Sequence, residues 1–594
     1  MMARTKWLAP VVAAMDLIAS AQAAHVHYTL DLTWKKGSPN GHEREMIFVN
    51  DQFPGPSLIM DEGDEVSIEI KNHLPFNTSV HFHGIEQKNT PWADGVSGLS
   101  QWAVLPGASY TYNWNATQYG TYWYHSHDKS RIMDGLYGAI YIRPSPNSDS
   151  PFSMISNDPE DIQAMENARD HPQLVVLSDW DHLTSDAYMQ AEKESGYDIF
   201  CSDSVLINGQ GSVICKDPEE LTNLQPPQIR AVVNGTLTDK GCDPNLLVLQ
   251  GDWEHHPEAL PGGLNSGCVP SEAPPSVFEV DSNAKWASFN FISAAALKAF
   301  WVSIDEHPMY VYEVDGRYIE PQLAHTMPLY NGQRYSVMVK LDQDPANYQM
   351  RVAGNGNQVI SGFATISYKG GEDSQHESVP YINYGGINTT DSVIVLNDTN
   401  LPPYPEIQPA TYADDFHLLS LGRINSSWEW TLDGSTFLPA NLGSMEPALI
   451  NPKSSDLDSS LKIETKNNTW VDIVFQLVIP PPTLLQPPHP IHKHSNKAFL
   501  IGSSQGNFTW NSIEDAVRDS PGSFFDTPVY RDTFTTSPAG AAWIAIRYHV
   551  ENPGAFLLHC HMETHLASGM GVVLLDGMDV WPDVQSPRRS HLGQ

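Results

Sequence analysis

Four His-x-His pairs constrain this 594-residue chain more than any other feature: His81/His83 in HFHG, His125/His127 in HSH, His492/His494 in HPIHKH and His559/His561 in HCH. On a β-strand, residues i and i+2 point to the same side, about 7 Å apart, so each pair can present two imidazoles to one cavity. Imidazole suits copper, zinc, iron and nickel alike. One pair means little. Four pairs, two near each end, are not explained as satisfied core histidines and point to metal.

The surrounding sequence reads as all-β. Short runs rich in Val, Ile, Thr, Tyr and Phe, such as DEVSIEIKN and GASYTYNW, recur between turn residues, and the chain carries 45 Pro and 41 Gly. Long amphipathic helical patterns are scarce, so sandwiches or barrels are expected. The length exceeds what one core supports and implies roughly three to five domains.

The two ends resemble each other. GTYWYHSH and GAFLLHCH each place a glycine five residues before the first histidine, and in register Asp134-Gly135-Leu136 meets Ser568-Gly569-Met570. This is the pattern of a duplicated β-domain. The substitutions between copies are chemical: Cys560 stands opposite Ser126, His565 opposite Arg131 and Met570 opposite Leu136. Two imidazoles, a thiolate and a long axial thioether make a blue-copper electron-transfer site. The C-terminal copy can make one, with His489 as second imidazole; the N-terminal copy cannot. Cys560 points to one strand face while His559 and His561 point to the other, giving an electron a short covalent route. A structural zinc cluster would be dominated by Cys or mixed Cys/His ligands, which ten clustered histidines and one cysteine do not fit.

Other features bear on location and partners. The formal charge of −37 opposes nucleic acid and anionic lipid. Residues 1–23, with Arg4 and Lys6 before an apolar run and Ala21-Gln22-Ala23 at its end, read as a secretory signal peptide, despite Asp16 within the run. No later segment has the length of uninterrupted apolar sequence that a membrane anchor needs. Eight Asn-x-Ser/Thr sequons (Asn77, Asn115, Asn234, Asn388, Asn397, Asn425, Asn467 and Asn507) agree with export and N-glycosylation. Cys201, Cys215, Cys242 and Cys268 form an even set that export could oxidise; of three connectivities, the nearest-neighbour one (201 with 215, 242 with 268) is taken as the working guess. No Gly-rich phosphate loop or dinucleotide fingerprint appears, since GNGNQV lacks the third glycine.

Taken in order, HFHG, YHSH, HPIHKH and HCHMETHLASGM resemble the multicopper oxidases, especially secreted laccases of ascomycete pigment pathways. PWADGVSGLSQ, VVLSDWDH, SDSVLINGQG, YEVDGRYIEP and PVYRDTFT are similar to the family's connecting blocks. The resemblance implies three consecutive cupredoxin-like Greek-key β-barrel or sandwich domains, placed at 25–145, 165–370 and 395–576, with a polar tail at 577–594. It implies four copper ions. His81 and His492 would bind type 2 copper; His83, His125 and His561 one type 3 copper; His127, His494 and His559 the other. Cys560, His489 and His565 would form the type 1 site, with Met570 axial. Asp94 and Glu563 match acidic residues proposed as proton sources, and can equally be read as orienters of ligands and water. Asp203 matches an acid at the mouth of the type 1 pocket that takes a phenol's proton, or else is an ordinary turn aspartate. The implied reaction is one-electron oxidation of phenols, pigment precursors included, coupled to reduction of O2 to two waters. A ferroxidase, or a copper-binding protein without oxidase activity, are the alternatives. The chain departs from the family pattern at Lys493, Ser495, Asn496 and Thr564; Lys493 is expected to point away from the cluster, toward the type 1 side.

Overall fold

A computed structural model describes residues 23–584, apart from 129, 147, 355, 357, 372–375, 438–444, 454–456, 480 and 538–539. The signal-peptide reading and the last ten residues of the tail fall outside these.

Three two-sheet sandwiches follow one another. The first joins two four-stranded sheets built from strands between His25 and Arg143. The second joins a six- and a five-stranded sheet between Gln173 and Tyr368, and the third does the same between Asp415 and Asp576. The runs singled out in the sequence are strands: Glu65–His73 pairs antiparallel with Ser109–Asn115. Alternation seats Val66, Ile68 and Ile70 in the core of the first sandwich with Tyr112 and Trp114, while Glu65 and His73 stay in solvent. The hydrophobic term sets this register, because a one-residue slip would turn that apolar set outward.

The polar stretch before the second sandwich is a packed element. Phe152, in a 3-10 turn, and Met165, on helix Pro159–Asp170, bury against Trp286 and Tyr312 of the second sandwich. Between the second and third sandwiches, residues 376–414 form neither helix nor strand. They are laid along the second sandwich by the bridges Thr326↔Val395 and Ile319↔Pro403.

The internal duplication is visible in backbone hydrogen bonds. Strand Val80–His83 pairs with Gly120–Ser126 in the first sandwich, as Pro490–Lys493 pairs with Gly554–Cys560 in the third. The Ser126 amide donates to Leu136 O at 3.0 Å, and the Cys560 amide donates to Met570 O at 3.1 Å. The register drawn from the two glycines is therefore the register of the folded domains.

The disulfides differ from the nearest-neighbour guess. Cys201 joins Cys242, with Cα atoms 5.6 Å apart, and Cys215 joins Cys268 at 5.8 Å. Gln358 explains the first: its side chain accepts from the Ser202 amide and donates to Ser202 O and Lys240 O, drawing together segments distant in sequence. Cys560 is the free cysteine among the described residues.

Candidate metal centre and electron-donor pocket

The two HxH-bearing sheets face each other across the junction of the first and third sandwiches. His81 stands opposite His125, and His492 opposite His559, so each sheet contributes a paired row of imidazoles. The chain continues past the strand ends under backbone control: His127 N donates to Ser79 O, His494 N to Leu557 O and His561 N to Pro490 O.

Ring nitrogens of His81, His83 and His492 lie within 4.8 Å of one another, as do those of His83, His125 and His561, and of His127, His494 and His559. His494 Nε2 is 3.2 Å from His559 Nε2, and His561 Nε2 is 3.1 Å from His83 Nδ1. Burial holds the pKa of His83, His125, His127, His492, His494 and His559 well below the usual imidazole range, and that of His561 down to about 3. Neutral rings keep a lone pair for metal.

The second nitrogen of most rings is tied down. His81 Nδ1 donates to Asp94 O (2.6 Å), His125 Nδ1 to Ser126 O (2.8 Å), His492 Nδ1 to Asp532 O (3.0 Å) and His559 Nδ1 to Cys560 O (2.8 Å). His494 Nδ1 donates to the buried Asp94 carboxylate at 3.0 Å. These bonds fix the tautomers and leave Nε2 of His81, His125 and His492 buried with no hydrogen-bond partner, as is Nε2 of His127. Orphaned lone pairs converging on one space are costly unless something fills it, and a cluster of cations fits the donor set.

The backing is equally specific. Gly332 adopts φ +83°, and a Cβ there would meet His83 Cε1 at 2.8 Å and His561 Cδ2 at 2.9 Å. Asp532 lies 3.4 Å from His83 Nε2, and Arg334 grips it with two bonds of 2.6 and 2.8 Å. Burial opposes charge on Asp532, but Arg334 outweighs it and holds the carboxyl well below the usual carboxylate range. Asp532 lies in PVYRDTFT, but no metal-ligand or catalytic motif in the sequence marks it.

On the other face of strand Gly554–Cys560, Cys560 Sγ lies 3.5 Å from His565 Nδ1 and 3.8 Å from His489 Nδ1, and those two nitrogens are 3.1 Å apart. Helix Glu563–Ser568 turns the chain back so that His565 returns to its own cysteine. Gly569 follows at φ +136°, where a Cβ would meet Thr436 and Trp430 O within 2.9 Å. Met570 is fully buried in the same core as Cys560. Burial pushes the thiol far above its ordinary range, so a thiolate here requires a cation beside it.

His565 points its other nitrogen, which is buried, toward Asp198. Nε2 is 3.6 Å from Asp198 Oδ1, and Asp198 also accepts from Arg423 (2.9 Å) and Trp430 Nε1 (3.1 Å). Trp430 packs its ring against both His489 and His565, at 4.6 and 4.7 Å. Asp198 and Phe200 line a cavity of about 320 Å³, with Phe200 edge-on to His565. That size is at the small end of ligand sites.

Asp203 does not line this cavity. Its carboxylate pairs with Lys240 Nζ at 2.7 Å and accepts from the His182 amide at 2.8 Å, because the Cys201–Cys242 bridge brings Lys240 over it. Asp198, five residues earlier, carried no motif that sequence reading could have used. Glu563 is buried; desolvation, with Asp179 nearby, pushes its carboxyl up to about 8. Lys493 lies on the sheet face opposite His492, bonding Asn496 and covering the Tyr548 ring at 4.2 Å. Burial lowers its pKa, against the pull of Asp576.

Profiles described as Multicopper oxidase match residues 31–147, 172–371 and 431–579. The chain belongs to the multicopper oxidase family, whose members bind copper. Within it the similarity is to laccases. Laccase abr2 of Aspergillus fumigatus is 66% identical over 96% of this chain and 97% of its own length, and Laccase-1 of Emericella nidulans is 42% identical over 94% and 97%. Multicopper oxidase VdtB of Byssochlamys spectabilis is 45% identical over 94% and 84%. Among solved structures, the laccase from Botrytis aclada superposes with TM-score 0.69 at 22% identity, covering 96% of this chain and 90% of that one. Fet3p, described as functioning in iron import, gives 0.68 at 20%, covering 96% and 94%. At that identity both establish the fold alone, three cupredoxin-like domains.

Proposed function

We propose that this laccase-like oxidase takes electrons one at a time from phenolic donors at the His565 edge and reduces dioxygen to water at the eight-histidine cluster. Four copper ions would complete the reading: one held by His489, Cys560, His565 and Met570, one by His81 and His492, and one by each remaining histidine trio. Copper, when bound, supplies the one-electron redox chemistry and the reduction of oxygen. The observation that carries the reading is the position of Cys560, peptide-linked on both sides to histidines of the cluster while its sulfur faces His489 and His565.

The remaining chemistry belongs to the chain's own groups. Asp94 fixes His494 and, through its carbonyl, His81. Glu563, with its pKa near 8, holds a proton at neutral pH beside ligand-bearing residues and serves as proton donor there. Asp198 takes the role first assigned to Asp203, since it sits at the outer nitrogen of His565. Export is part of the proposal, with glycans on the sequons: seven of the eight asparagines are exposed and Asn467 is half-buried. Among the described residues, no helix is long and apolar enough to cross a membrane.

Oxygen uptake by the purified, copper-loaded protein tests the reading. Steady-state turnover with diphenols, and little with ferrous iron, is expected. Turnover with ferrous iron alone would move the assignment to a ferroxidase, and no turnover with any donor would leave only a copper-binding protein.

A further inference from the structure

The cavity at His565 has two carboxylates, on segments that are covalently joined. Asp198 and Phe200, which lie beside the His565 ring, line the cavity, and so do Asp243, Pro244, Asn245 and Leu249. The Cys201–Cys242 disulfide links the two segments one residue before Asp243 and three after Asp198, and both half-cystines line the cavity. The bridge therefore fixes the relation of the two acids, and Gln358 clamps the same two segments from behind.

Their surroundings differ. Asp198 is engaged by Arg423 and Trp430 and directed at His565. Asp243 is anchored through one oxygen, Oδ1, which accepts from Gln225 Nε2 at 2.6 Å. Among the described residues, Oδ2 has no hydrogen-bond partner in the structure. Desolvation pushes this carboxyl up to about 7, against the bond from Gln225 and the field of Lys298. A half-satisfied carboxyl in a confined, partly apolar cavity gains most by accepting from a ligand. Ile229, Val232, Leu249 and Leu485 supply the flat apolar contact an aromatic ring needs.

We propose that Asp243 is the specificity-determining group of this cavity, accepting from a hydroxyl at the far end of an extended aromatic donor whose other hydroxyl faces His565. The preferred substrates are then aromatics hydroxylated at both ends. This rests on the reading of His565 as the edge that receives the electron. A site built to hydrogen-bond a substrate hydroxyl discriminates strongly against the analogue that lacks it, because its own polar group is left unpaired.

The test uses the copper-loaded enzyme at pH 7.5, with 4,4′-biphenol and 4-hydroxy-4′-methoxybiphenyl. The methyl ether keeps a para-oxygen donor to the rings but has no far-end proton to give. Wild type should favour the diol by about 10-fold or more in kcat/KM, the scale of one bond to a charged group. Asp243→Leu should reduce that ratio to within about twofold, and Asp243→Glu should restore a preference for the diol. The visible thiolate band of Cys560 reports that each variant is folded and loaded. A wild-type ratio near one overturns the proposal without need of any variant, as does a ratio unchanged in Asp243→Leu. Failure to oxidise either biphenyl while simple diphenols turn over overturns this inference alone, and no turnover with any donor overturns the oxidase reading with it.

Discussion

His494 and Asp94 lie 400 residues apart in sequence, yet the Nδ1 of one donates to the carboxylate of the other at 3.0 Å, both fully buried. The same aspartate receives His81 through its backbone carbonyl at 2.6 Å. One residue of the first domain thus orients a histidine from each end of the chain. Removing such a partner typically costs 10–100-fold in metal affinity or activity. Asp94→Ala should accordingly lower oxygen uptake by about 10–100-fold, with sub-stoichiometric copper, while the Cys560 visible band persists. Full copper content and turnover in the variant would show that His494 needs no orienter.

The Cys560 site is separable from the histidine cluster because the two occupy opposite faces of one strand. Cys560→Ser should abolish the intense thiolate-to-copper absorption and leave the eight histidines able to take up copper. Metal analysis together with the visible spectrum decides this; blue colour retained in the variant would sink the assignment.

Met570 is buried in the same core as Cys560, and its carbonyl receives the Cys560 amide. A thioether donates to oxidised copper and an aliphatic side chain does not. Met570→Leu is therefore expected to raise the potential of the Cys560 site in a redox titration. An unchanged or lower value would make Met570 core packing only.

Much of this was legible because the chemistry is written in local patterns. The HxH pairs state both strand and ligand, and the two glycine-anchored registers predict the equivalence of Ser126 and Cys560, which the hydrogen bonds to Leu136 and Met570 repeat. What escaped depends on long-range contacts without periodicity. Cys201 finds Cys242 because Gln358 pulls their segments together. Asp198 reaches His565 while the motif-bearing Asp203 is taken up by Lys240. Lys493 reads as a departure from pattern, and its place against Tyr548 follows from the opposite-face rule for strands.

That exchange between Asp198 and Asp203 is testable. Oxidising a phenol by one electron acidifies its hydroxyl, and a positioned proton acceptor is worth ~10²–10⁴-fold. Asp198→Asn should lower kcat/KM for phenols by about 10²-fold relative to a donor that releases no proton. Asp203→Asn should leave that ratio unaltered and reduce thermal stability through loss of the Lys240 pair. A phenol-specific defect in Asp203→Asn alone would restore the sequence-based assignment.

The last expectation concerns acid stability. Asp532 and Arg334 are both wholly buried, and their two hydrogen bonds join the second and third sandwiches behind His83 and His492. Removing one member of a buried pair strands the other charge and typically costs about 3–5 kcal/mol. Arg334→Met should lower the midpoint of thermal unfolding accordingly at neutral pH. The sign of the pH dependence follows from the direction of the shift: Arg334 depresses the folded pKa of Asp532 below its unfolded value of about 3.9. The pair's contribution is thus complete above that unfolded value and is lost as pH falls toward the folded one. In Arg334→Met, burial is no longer opposed by Arg334 and raises the Asp532 pKa, so protonation relieves the stranded charge and the wild-type advantage should be largest at neutral pH and shrink progressively as the pH is lowered. The other carboxylates are common to both proteins and cancel in the difference. Paired melting curves measure it directly, and a difference that stays constant down to pH 3 would mean that Arg334 acts by packing rather than by charge.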